Sequence, residues 1–203
     1  MKKLLVATKN SGKLKEISEF LKDLKVQILS LRDVGINRDV EETGKNYKEN
    51  SQLKALFYSK LSNLPVISDD GGLEIKALGG APGIHSRRWL GYTGTDEELI
   101  EHLKKTIAKI PRNRRQASFK TVVSFALPDG KVWSVNGRVD GVLTDEPEVS
   151  LLEGYPYRSF FYLPKIKKFY HESELSEDEQ KLYNHRYKAI SKLKEIIKRE
   201  LHD

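Results

Sequence analysis

The change from a strand to a turn and then to a helix decides the fold, and it begins in the stretch Leu4-Leu5-Val6-Ala7-Thr8-Lys9-Asn10-Ser11-Gly12-Lys13. Its first four residues are apolar and predict a short buried strand, and the polar residues and glycine that follow predict a turn. From residue 13 to residue 24, apolar side chains recur at helical spacing: Leu14, Ile17, Phe20 and Leu21. The chain therefore opens with a strand, a turn and a helix, as an α/β fold does.

Outward from this opening, helices and strands alternate before strands take over. Further helices are predicted at residues 49–62, 96–107 and 174–201. Strands are predicted at residues 26–31, 66–68, 117–127, 131–139 and 139–143, with a hairpin turn at Asp129-Gly130. Residues 146–164 are predicted to form a loop with one aromatic strand. The pattern indicates an α/β half beside an antiparallel, β-rich half, with an active site in the cleft between them.

The composition limits the class of protein and of partner. The chain has 203 residues, enough for one large domain or two small lobes that share a core. It has no cysteine, which excludes disulfides, thiolate metal sites and a cysteine nucleophile. The net charge of +7 favours anionic partners, either nucleic acid or phosphorylated small molecules, although a Lys- and Glu-rich surface is also typical of heat-stable proteins. The N-terminal apolar run is too short for a signal peptide, so we expect a cytoplasmic location and no membrane partner.

The residues Asp69-Asp70-Gly71-Gly72 follow the predicted strand at 66–68 directly. Two adjacent carboxylates at the end of an apolar strand are partly shielded from water and repel each other. A bound cation usually compensates this repulsion. The glycines allow a ligand to approach the backbone closely. A carboxylate beside Mg²⁺ can bind the metal and orient a water for attack on phosphorus. The alternative is a helix N-cap or an Asx turn.

Two further polar segments precede this pair along the chain. The turn at residues 8–13 offers backbone N–H groups, a hydroxyl, an amide and two ammonium groups to a phosphate, although it lacks the spacing of a Walker A loop. The alternative is an ordinary turn in which Asn10 and Ser11 cap the helix. Glu41 and Glu42 lie before Gly44 and could supply a ligand to Mg²⁺, or could simply be solvated.

Two segments after the pair carry cations. The glycine-rich loop at residues 79–88 ends in Arg87 and Arg88, and the planar guanidinium group suits phosphate oxygens. His185 and Arg186 follow Asn184 within the last predicted helix. They could donate hydrogen bonds to a carbonyl or a phosphate, or they could be an ordinary pair on the helix surface.

Taken together and in order, these segments closely resemble the Ham1-type inosine triphosphate pyrophosphatase family. The resemblance extends over residues 4–189 and is carried by ATKNSGKLKEI (7–17), EETGKNYKENSQLKA (41–55), SDDGGLEIKALGGAPGIHSRRW (68–89), NGRVDGVLTDEP (136–147) and NHRYKAI (184–190). It implies a single domain over residues 1–203, with two lobes that share a long central mixed β-sheet flanked by helices, and an active site in the cleft between the lobes. It also implies a homodimer.

The function that the resemblance implies is Mg²⁺-dependent hydrolysis of non-standard purine nucleoside triphosphates (ITP, dITP and XTP). The products would be a nucleoside monophosphate and pyrophosphate, and the reaction would cleanse the nucleotide pool. No stable nucleic-acid partner is expected. Two alternatives remain open: the same chemistry with a changed base preference, and a nucleotide-binding relative with little turnover.

The resemblance also implies the role of individual residues. Asp70 would bind Mg²⁺ together with Glu42 and would accept the proton of the attacking water, and Lys13 and Asp69 would be further catalytic residues. The residues expected to bind substrate are Thr8, Lys9, Asn10, Ser11, Gly12, Lys13, Lys54, Gly71, Arg87, Tyr155, Pro156, Tyr157, Arg158, Gln180, His185 and Arg186. Within this set, Thr8, Asn10 and Lys13 would bind the triphosphate. His185 and Arg186 would face the 6-keto edge of the purine, which excludes a 6-amino group.

The chain departs from the family pattern mainly where the base is expected. The family usually has Gly-Phe-Gly-Tyr-Asp-Pro where this chain has Gly-Tyr-Pro-Tyr-Arg-Ser at residues 154–159. The stacking phenylalanine thus becomes Tyr155, which can still stack on a base, and the aspartate becomes Arg158. Gln180 replaces a lysine, and Asn184 and Gly71 each replace a serine. The phosphate and metal half of the predicted site is therefore intact, and the base-reading half is altered.

Overall fold

The computed structural model describes residues 1–147 and 149–202, and within them the chain forms seven strands and five α-helices. The strands are β1 (Lys2–Val6), β2 (Val26–Ser30), β3 (Val66–Ile75), β4 (Gln116–Ala126), β5 (Val132–Leu143), β6 (Phe161–Leu163) and β7 (Lys168–Phe169). The helices are α1 (Ser11–Phe20), α2 (Tyr47–Ser62), α3 (Asp96–Ile107), α4 (Glu177–Tyr183) and α5 (His185–His202). Residues 148 and 203, which belong to the predicted loop and the predicted domain, lie outside the described residues.

The described strands form one mixed sheet in the order β2-β1-β3-β4-β5-β6-β7. β1 pairs in parallel with β2 and with β3, where Leu5 lies opposite Val66 and Val6 opposite Ile67. β6 pairs antiparallel with β5 and with β7. This arrangement confirms the predicted α/β fold with a long mixed sheet and flanking helices.

The chain divides into two compact units, each with its own packed apolar residues. The first unit comprises residues 1–70, 121–137 and 186–202, and the second comprises residues 71–120 and 138–185. In the first unit, Ile17 of α1, Leu21 directly after it, and Ile190 and Leu193 of α5 are buried in one cluster with the sheet residues Leu4 and Phe125, among others. In the second unit, α3 buries Leu99, Leu103 and Ile107 in a cluster that includes Phe160 and Phe161. The prediction of a single domain over residues 1–203 stays a prediction.

Local capping chemistry explains where the helices begin. Asn10 caps α1 by accepting a hydrogen bond from the backbone N–H of Lys13 at 2.9 Å, and Asn46 caps α2 in the same way. α3 has a capping box, because the side chain of Thr95 accepts from the backbone of Glu98 while the Glu98 carboxylate accepts from the backbone of Thr95. The predicted bounds of α3 are confirmed.

Several predicted element bounds are wrong. The helix expected at residues 13–24 is Ser11–Phe20, because Asn10 caps its start and the backbone leaves the helical conformation at Leu21. The strands expected at 131–139 and 139–143 are one strand, β5.

β3 was expected to end at Ser68, but it continues to Ile75, because the strand keeps β4 as a neighbour after β1 has ended. The single helix expected at 174–201 is two helices separated at Asn184, whose extended backbone (φ −83°, ψ 116°) interrupts the helical hydrogen bonding. Among the described helices, none is both long enough and apolar enough to cross a membrane.

Candidate active site

The acidic pair lies within β3, just beyond the point where the parallel strand β1 stops. Val6 is the last residue of β1 and lies opposite Ile67, so that the next residues of β3 have no β1 partner. Asp69 and Asp70 are nevertheless buried, with 3% and 6% of their surface exposed. Two carboxylates with so little access to water need cationic or hydrogen-bonding partners, and both have them.

Asp69 is held by a guanidinium group, a hydroxyl and an ammonium group. Its Oδ2 accepts hydrogen bonds from Arg186 Nη2 at 3.0 Å, Arg186 Nε at 3.1 Å and Thr121 Oγ1 at 3.3 Å. Lys13 Nζ lies 3.3 Å from Oδ1. Burial alone would raise the pKa of Asp69, but Arg186 and Lys13 outweigh it and hold the pKa far below its usual range. Asp69 is therefore held ionised by its cationic neighbours.

Arg186 lies at the start of α5, and its guanidinium is buried between two carboxylates. Besides Asp69, it contacts Glu16 of α1 through Nη1. The sequence led us to expect Arg186 at the 6-keto edge of a purine. In the structure it ties α1 and α5 to the acidic pair, and its contact with a base stays a prediction.

Asp70 faces a different set of groups. Lys54 Nζ lies 3.5 Å from Asp70 Oδ1 and donates to Glu42 Oε1 at 2.6 Å. Asn50 Nδ2 donates to Asp70 Oδ2 at 3.3 Å. Burial raises the pKa of Asp70, and Lys54 only partly opposes that rise. The two neighbouring carboxylates thus differ, since Asp69 is held ionised and Asp70 has the greater affinity for a proton.

The two lysines beside the pair also differ. Burial lowers the pKa of Lys13, and the attraction of Asp69 offsets this only in part. Burial acts in the same direction on Lys54, but Asp70 and Glu42 outweigh it and raise its pKa. Lys54 therefore keeps its charge, and it is the ammonium group that Glu42 and Asp70 share.

The predicted phosphate turn at residues 8–13 is partly engaged in its own structure. The amide oxygen of Asn10 caps α1, and Thr8 Oγ1 accepts from the backbone N–H of Asn10 at 3.2 Å. Ser11 and Gly12 are the first two residues of α1. Lys9 Nζ pairs with Asp39 at 2.7 Å. Of this turn, Lys13 contacts the acidic pair through Asp69.

Glu42 and Asp70 are chemically suited to Mg²⁺. Both are carboxylates, the oxygen ligands that Mg²⁺ prefers, and both already face one common cation, Lys54. Within residues 1–147 and 149–202, no group of three or more His, Cys, Asp or Glu side chains is placed to hold a metal ion. A site with two protein carboxylates fits Mg²⁺ all the same, because Mg²⁺ usually takes its remaining ligands from water and substrate phosphates.

Apart from Arg186, the residues expected to read the base lie in the second unit. Arg158 is 6% exposed, and its guanidinium lies over the ring of Tyr155 at 3.9 Å and over that of Tyr170 at 4.7 Å. The phenol of Tyr170 is hydrogen-bonded to His185 Nδ1 at 2.6 Å, and Phe119 stacks on the His185 ring. The structure thus brings three of the predicted base-reading residues, Tyr155, Arg158 and His185, into one aromatic cluster.

The remaining predicted residues of this unit have mainly structural contacts. Arg87 pairs with Asp96 at the start of α3, and the other carboxylate oxygen of Asp96 accepts from the backbone N–H of Gly154. The phenol of Tyr157 donates to the carbonyl of Ser86 at 2.7 Å, and burial raises its pKa. The placements of the other three are simpler: Gly71 lies in β3, Pro156 is buried, and Gln180 lies in α4 and accepts from Asn184.

Sequence reasoning missed two residues of the first unit that contact the acidic pair. Asn50 precedes Lys54 by four residues in α2, so helical periodicity alone places the two side chains on one face. That signal was available in the sequence. Thr121 Oγ1 lies 3.0 Å from the backbone carbonyl of Asp70, to which it donates, but nothing local marks it in an otherwise ordinary strand. Only the pairing of β4 beside β3 reveals it.

Comparisons with known proteins agree with this geometry. The model of the Ham1 family matches residues 4–196. A dITP/XTP pyrophosphatase of Clostridium perfringens is 37% identical over 204 residues, which cover 98% of this chain and 98% of that protein. A dITP/XTP pyrophosphatase of Caldanaerobacter subterraneus subsp. tengcongensis is also 37% identical over 204 residues, and the match covers the whole of both chains.

Solved structures give the same result for the fold. The Ham1 protein of Staphylococcus aureus is similar with a TM-score of 0.79 and 33% identity, over 98% of this chain and all of that chain. A Ham1 protein of Coxiella burnetii gives a TM-score of 0.81 and 31% identity, over 97% of this chain and 98% of that chain. These matches confirm the fold family that the sequence motifs predict.

Proposed function

Because the chain belongs to the Ham1 family, we propose that it hydrolyses non-standard purine nucleoside triphosphates such as dITP, XTP and ITP. The products are the nucleoside monophosphate and pyrophosphate. Relatives that match this chain over nearly its full length are named dITP/XTP pyrophosphatases, which supports the substrate class. The observation that carries the proposal is the buried pair in β3, where Asp69 is held ionised by Arg186 and Asp70 is left with a raised pKa beside Lys54.

Glu42 and Asp70 would hold Mg²⁺, and the chemistry that bound Mg²⁺ supplies is neutralisation of charge on the phosphate oxygens. Asp70 orients the attacking water and accepts its proton at a carboxylate oxygen as the bond between the α- and β-phosphates breaks. Lys13 and Lys54 donate to phosphate oxygens. Asp69 acts as the fixed negative charge that keeps Lys13 and Arg186 in place.

Thr8, Asn10 and the start of α1 add neutral donors for the phosphates, because the first N–H groups of a helix have no partner within it. Tyr155 and His185 contact the base through stacking and hydrogen bonding. We also propose that the protein acts in the cytoplasm and as a homodimer. These two assignments rest on the family resemblance.

The reaction is tested by incubating the protein with dITP, XTP, ITP and GTP in the presence of Mg²⁺ and separating the products. We expect monophosphate and pyrophosphate from the first three, little turnover of GTP, and no reaction after chelation of the metal. Asp70→Asn should slow hydrolysis roughly 10²- to 10⁴-fold, the usual contribution of a general base. Asp129→Asn, at the exposed turn between β4 and β5, is the matched control and should leave the rate unchanged. Release of orthophosphate as the only product, or full activity of Asp70→Asn, would contradict the proposal.

A second candidate is the same hydrolysis with a different base preference. It is favoured by Arg158, whose buried guanidinium lies 3.9 Å over the Tyr155 ring where the family pattern has an aspartate. A panel of purine and pyrimidine triphosphates tests it, with wild type and Arg158→Asp compared. A clear optimum for dITP or XTP in the wild type would exclude this candidate.

A further inference from the structure

Asn50 is a fully buried amide that uses both of its polar atoms. Its side chain has no exposed surface in α2. Its Oδ1 accepts from the backbone N–H of Gly44 at 2.7 Å, and its Nδ2 donates to Asp70 Oδ2 at 3.3 Å. One carboxamide therefore joins the loop before α2 to the middle of β3.

The loop end of this connection carries Glu42. Gly44 lies two residues after Glu42, so the hydrogen bond from its N–H fixes the loop close to the proposed metal ligand. The approach is tight, because a Cβ at position 44 would lie 2.5 Å from Asn50 Oδ1 and 2.7 Å from Glu49 Cβ. Only glycine allows the loop to come this close to α2.

The strand end of the connection is Asp70 itself. Glu42 and Asp70 share Lys54, a long and flexible side chain, at 2.6 Å and 3.5 Å. The short amide of Asn50 is the stiffer link, because it has two side-chain torsions and both of its ends are engaged.

We propose that Asn50 is a positioning residue that sets the spacing of the Glu42 and Asp70 carboxylates and thereby the affinity of the site for Mg²⁺. The inference rests on the proposed function, since it takes these two residues as the metal ligands. Outer groups that orient metal ligands commonly contribute to metal affinity without touching the metal. Asn50 has that relation to both ligands at once, directly to Asp70 and through Gly44 to Glu42.

The position of α2 itself does not depend on Asn50. Asn46 caps the helix, and Ser51 is hydrogen-bonded to Ser124 at 2.8 Å and receives a bond from Ser68 at its backbone carbonyl. Ala55 and Tyr58 bury the apolar side of the helix. Loss of the Asn50 amide should therefore release the loop and Asp70 while α2 stays in place.

The experiment measures binding of Mn²⁺, a paramagnetic substitute for Mg²⁺, by electron paramagnetic resonance of the free ion. It uses the full chain with dITP in which an imido group replaces the oxygen between the α- and β-phosphates, so that nothing is hydrolysed. Asn50→Ala should raise the Mn²⁺ dissociation constant roughly 10- to 100-fold. Asn46→Ala, which removes a helix cap from the same helix, is the control; it should lower stability but leave Mn²⁺ binding unchanged.

A second measurement separates positioning from a general loss of structure. In hydrolysis of dITP, Asn50→Ala should need more Mg²⁺ for half-maximal activation, and excess Mg²⁺ should restore most of the rate. If Asn50→Ala does not fold, Gly44→Ala replaces it, because the added Cβ displaces the loop while Asn50 is retained. We expect the same loss of Mn²⁺ affinity from that variant.

Each outcome decides between the two proposals. If the wild type binds Mn²⁺ and Asn50→Ala or the substitute Gly44→Ala binds it equally well, Asn50 has no positioning role, and the proposed hydrolysis stands. If the wild type itself binds no Mn²⁺ in the presence of the analogue, both proposals are overturned. Weaker binding of Mn²⁺ to Asn50→Ala, together with unchanged binding to Asn46→Ala, supports the inference.

Discussion

Replacement of Asp69 by asparagine removes the charge that opposes Arg186 and Lys13 inside the first unit. Asp69 Oδ2 accepts two hydrogen bonds from Arg186 at 3.0 and 3.1 Å, and Lys13 Nζ lies 3.3 Å from Oδ1. Removal of one partner of a buried ion pair costs about 3–5 kcal/mol, because the other charge is left without compensation. Glu16 still contacts Arg186 in the variant, so we expect the lower end, about 3 kcal/mol.

The loss should be measured by urea unfolding at pH 7, with Asp129→Asn as the control on an exposed turn. In a thermal scan it corresponds to a fall of roughly 6–12 °C for a chain of this size. The pKa of Asp69 is lowered in the folded state, so its contribution is fully present above the pKa of the unfolded carboxyl, near 4. The gap between wild type and variant should therefore be constant from pH 7 to about pH 5 and narrow as the pH falls further. A variant as stable as the wild type at pH 7, or a gap that widens in acid, would refute the reasoning.

Three further predictions concern the second unit. Gly72→Ala should destabilise the protein by about 1–3 kcal/mol in urea unfolding, because its Cβ would lie 2.2 Å from Ser86 Oγ. Thr95→Ala should cost about 1 kcal/mol in a thermal scan, since it removes the side-chain cap of α3. Asp145→Asn should lower stability at pH 7, because Arg115 Nη1 is buried 2.5 Å from that carboxylate and lowers its pKa. That last difference should shrink as the pH falls below the pKa of the unfolded carboxyl, and it should vanish once the pH passes the lowered pKa of the folded one, as unfolding at pH 7 and at a series of acidic pH values would reveal.

Each of these has an outcome that contradicts it. An unchanged Gly72→Ala would mean that both the Ser86 side chain and the backbone carbonyl of Gly83, 2.3 Å from the added Cβ, can move aside at no cost. An unchanged Thr95→Ala would mean that water satisfies the first N–H groups of α3 as well as the threonine does. A difference for Asp145→Asn that persists in strong acid would have to come from packing and not from charge.

The elements that the sequence predicted best are those whose bounds are set locally. α3 begins and ends where expected because Thr95 and Glu98 form a capping box within four residues and the apolar side chains repeat cleanly. The turn predicted at residues 8–13 was located in part, because Asn10 caps α1 and the helix already begins at Ser11. Local hydrogen bonds of this kind need no knowledge of the rest of the chain.

The predicted bounds are wrong where a local sequence pattern is overridden by the rest of the structure. The acidic pair was expected at the end of a strand, because two carboxylates and two glycines have low strand propensity. β3 nevertheless continues through them, since β4, about fifty residues further along the chain, lies beside it in the sheet. In the same way, periodicity predicted one long C-terminal helix, and the extended backbone of Asn184 divides it.

The candidate site was predictable in its residue types and much less so in its contacts. The sequence singled out Lys13, Lys54, Asp69 and Asp70, and the first unit brings these four together. Its assignment of Arg186 to the base stays a prediction, but it did not foresee that the guanidinium lies on Asp69 at 3.0 Å. The partner of a long cationic side chain depends on which carboxylate the fold brings within reach. Here the fold brings Arg186 to Asp69, although the two residues are 117 positions apart in the chain.

The charges around the acidic pair explain why a metal and a triphosphate would have to bind together. Four carboxylates (Glu16, Glu42, Asp69 and Asp70) meet three cations (Lys13, Lys54 and Arg186), so that the cluster has one negative charge in excess. A triphosphate alone would add negative charge to a cluster that already has an excess, and this is unfavourable at short range. Binding of Mg²⁺ changes the net charge of the cluster from one negative to one positive charge, and the cluster then attracts phosphate oxygens. We therefore expect triphosphate affinity to depend on Mg²⁺ in the wild type and to depend on it much less in Glu42→Gln, where the excess negative charge is already gone; equal dependence in both proteins would contradict this account.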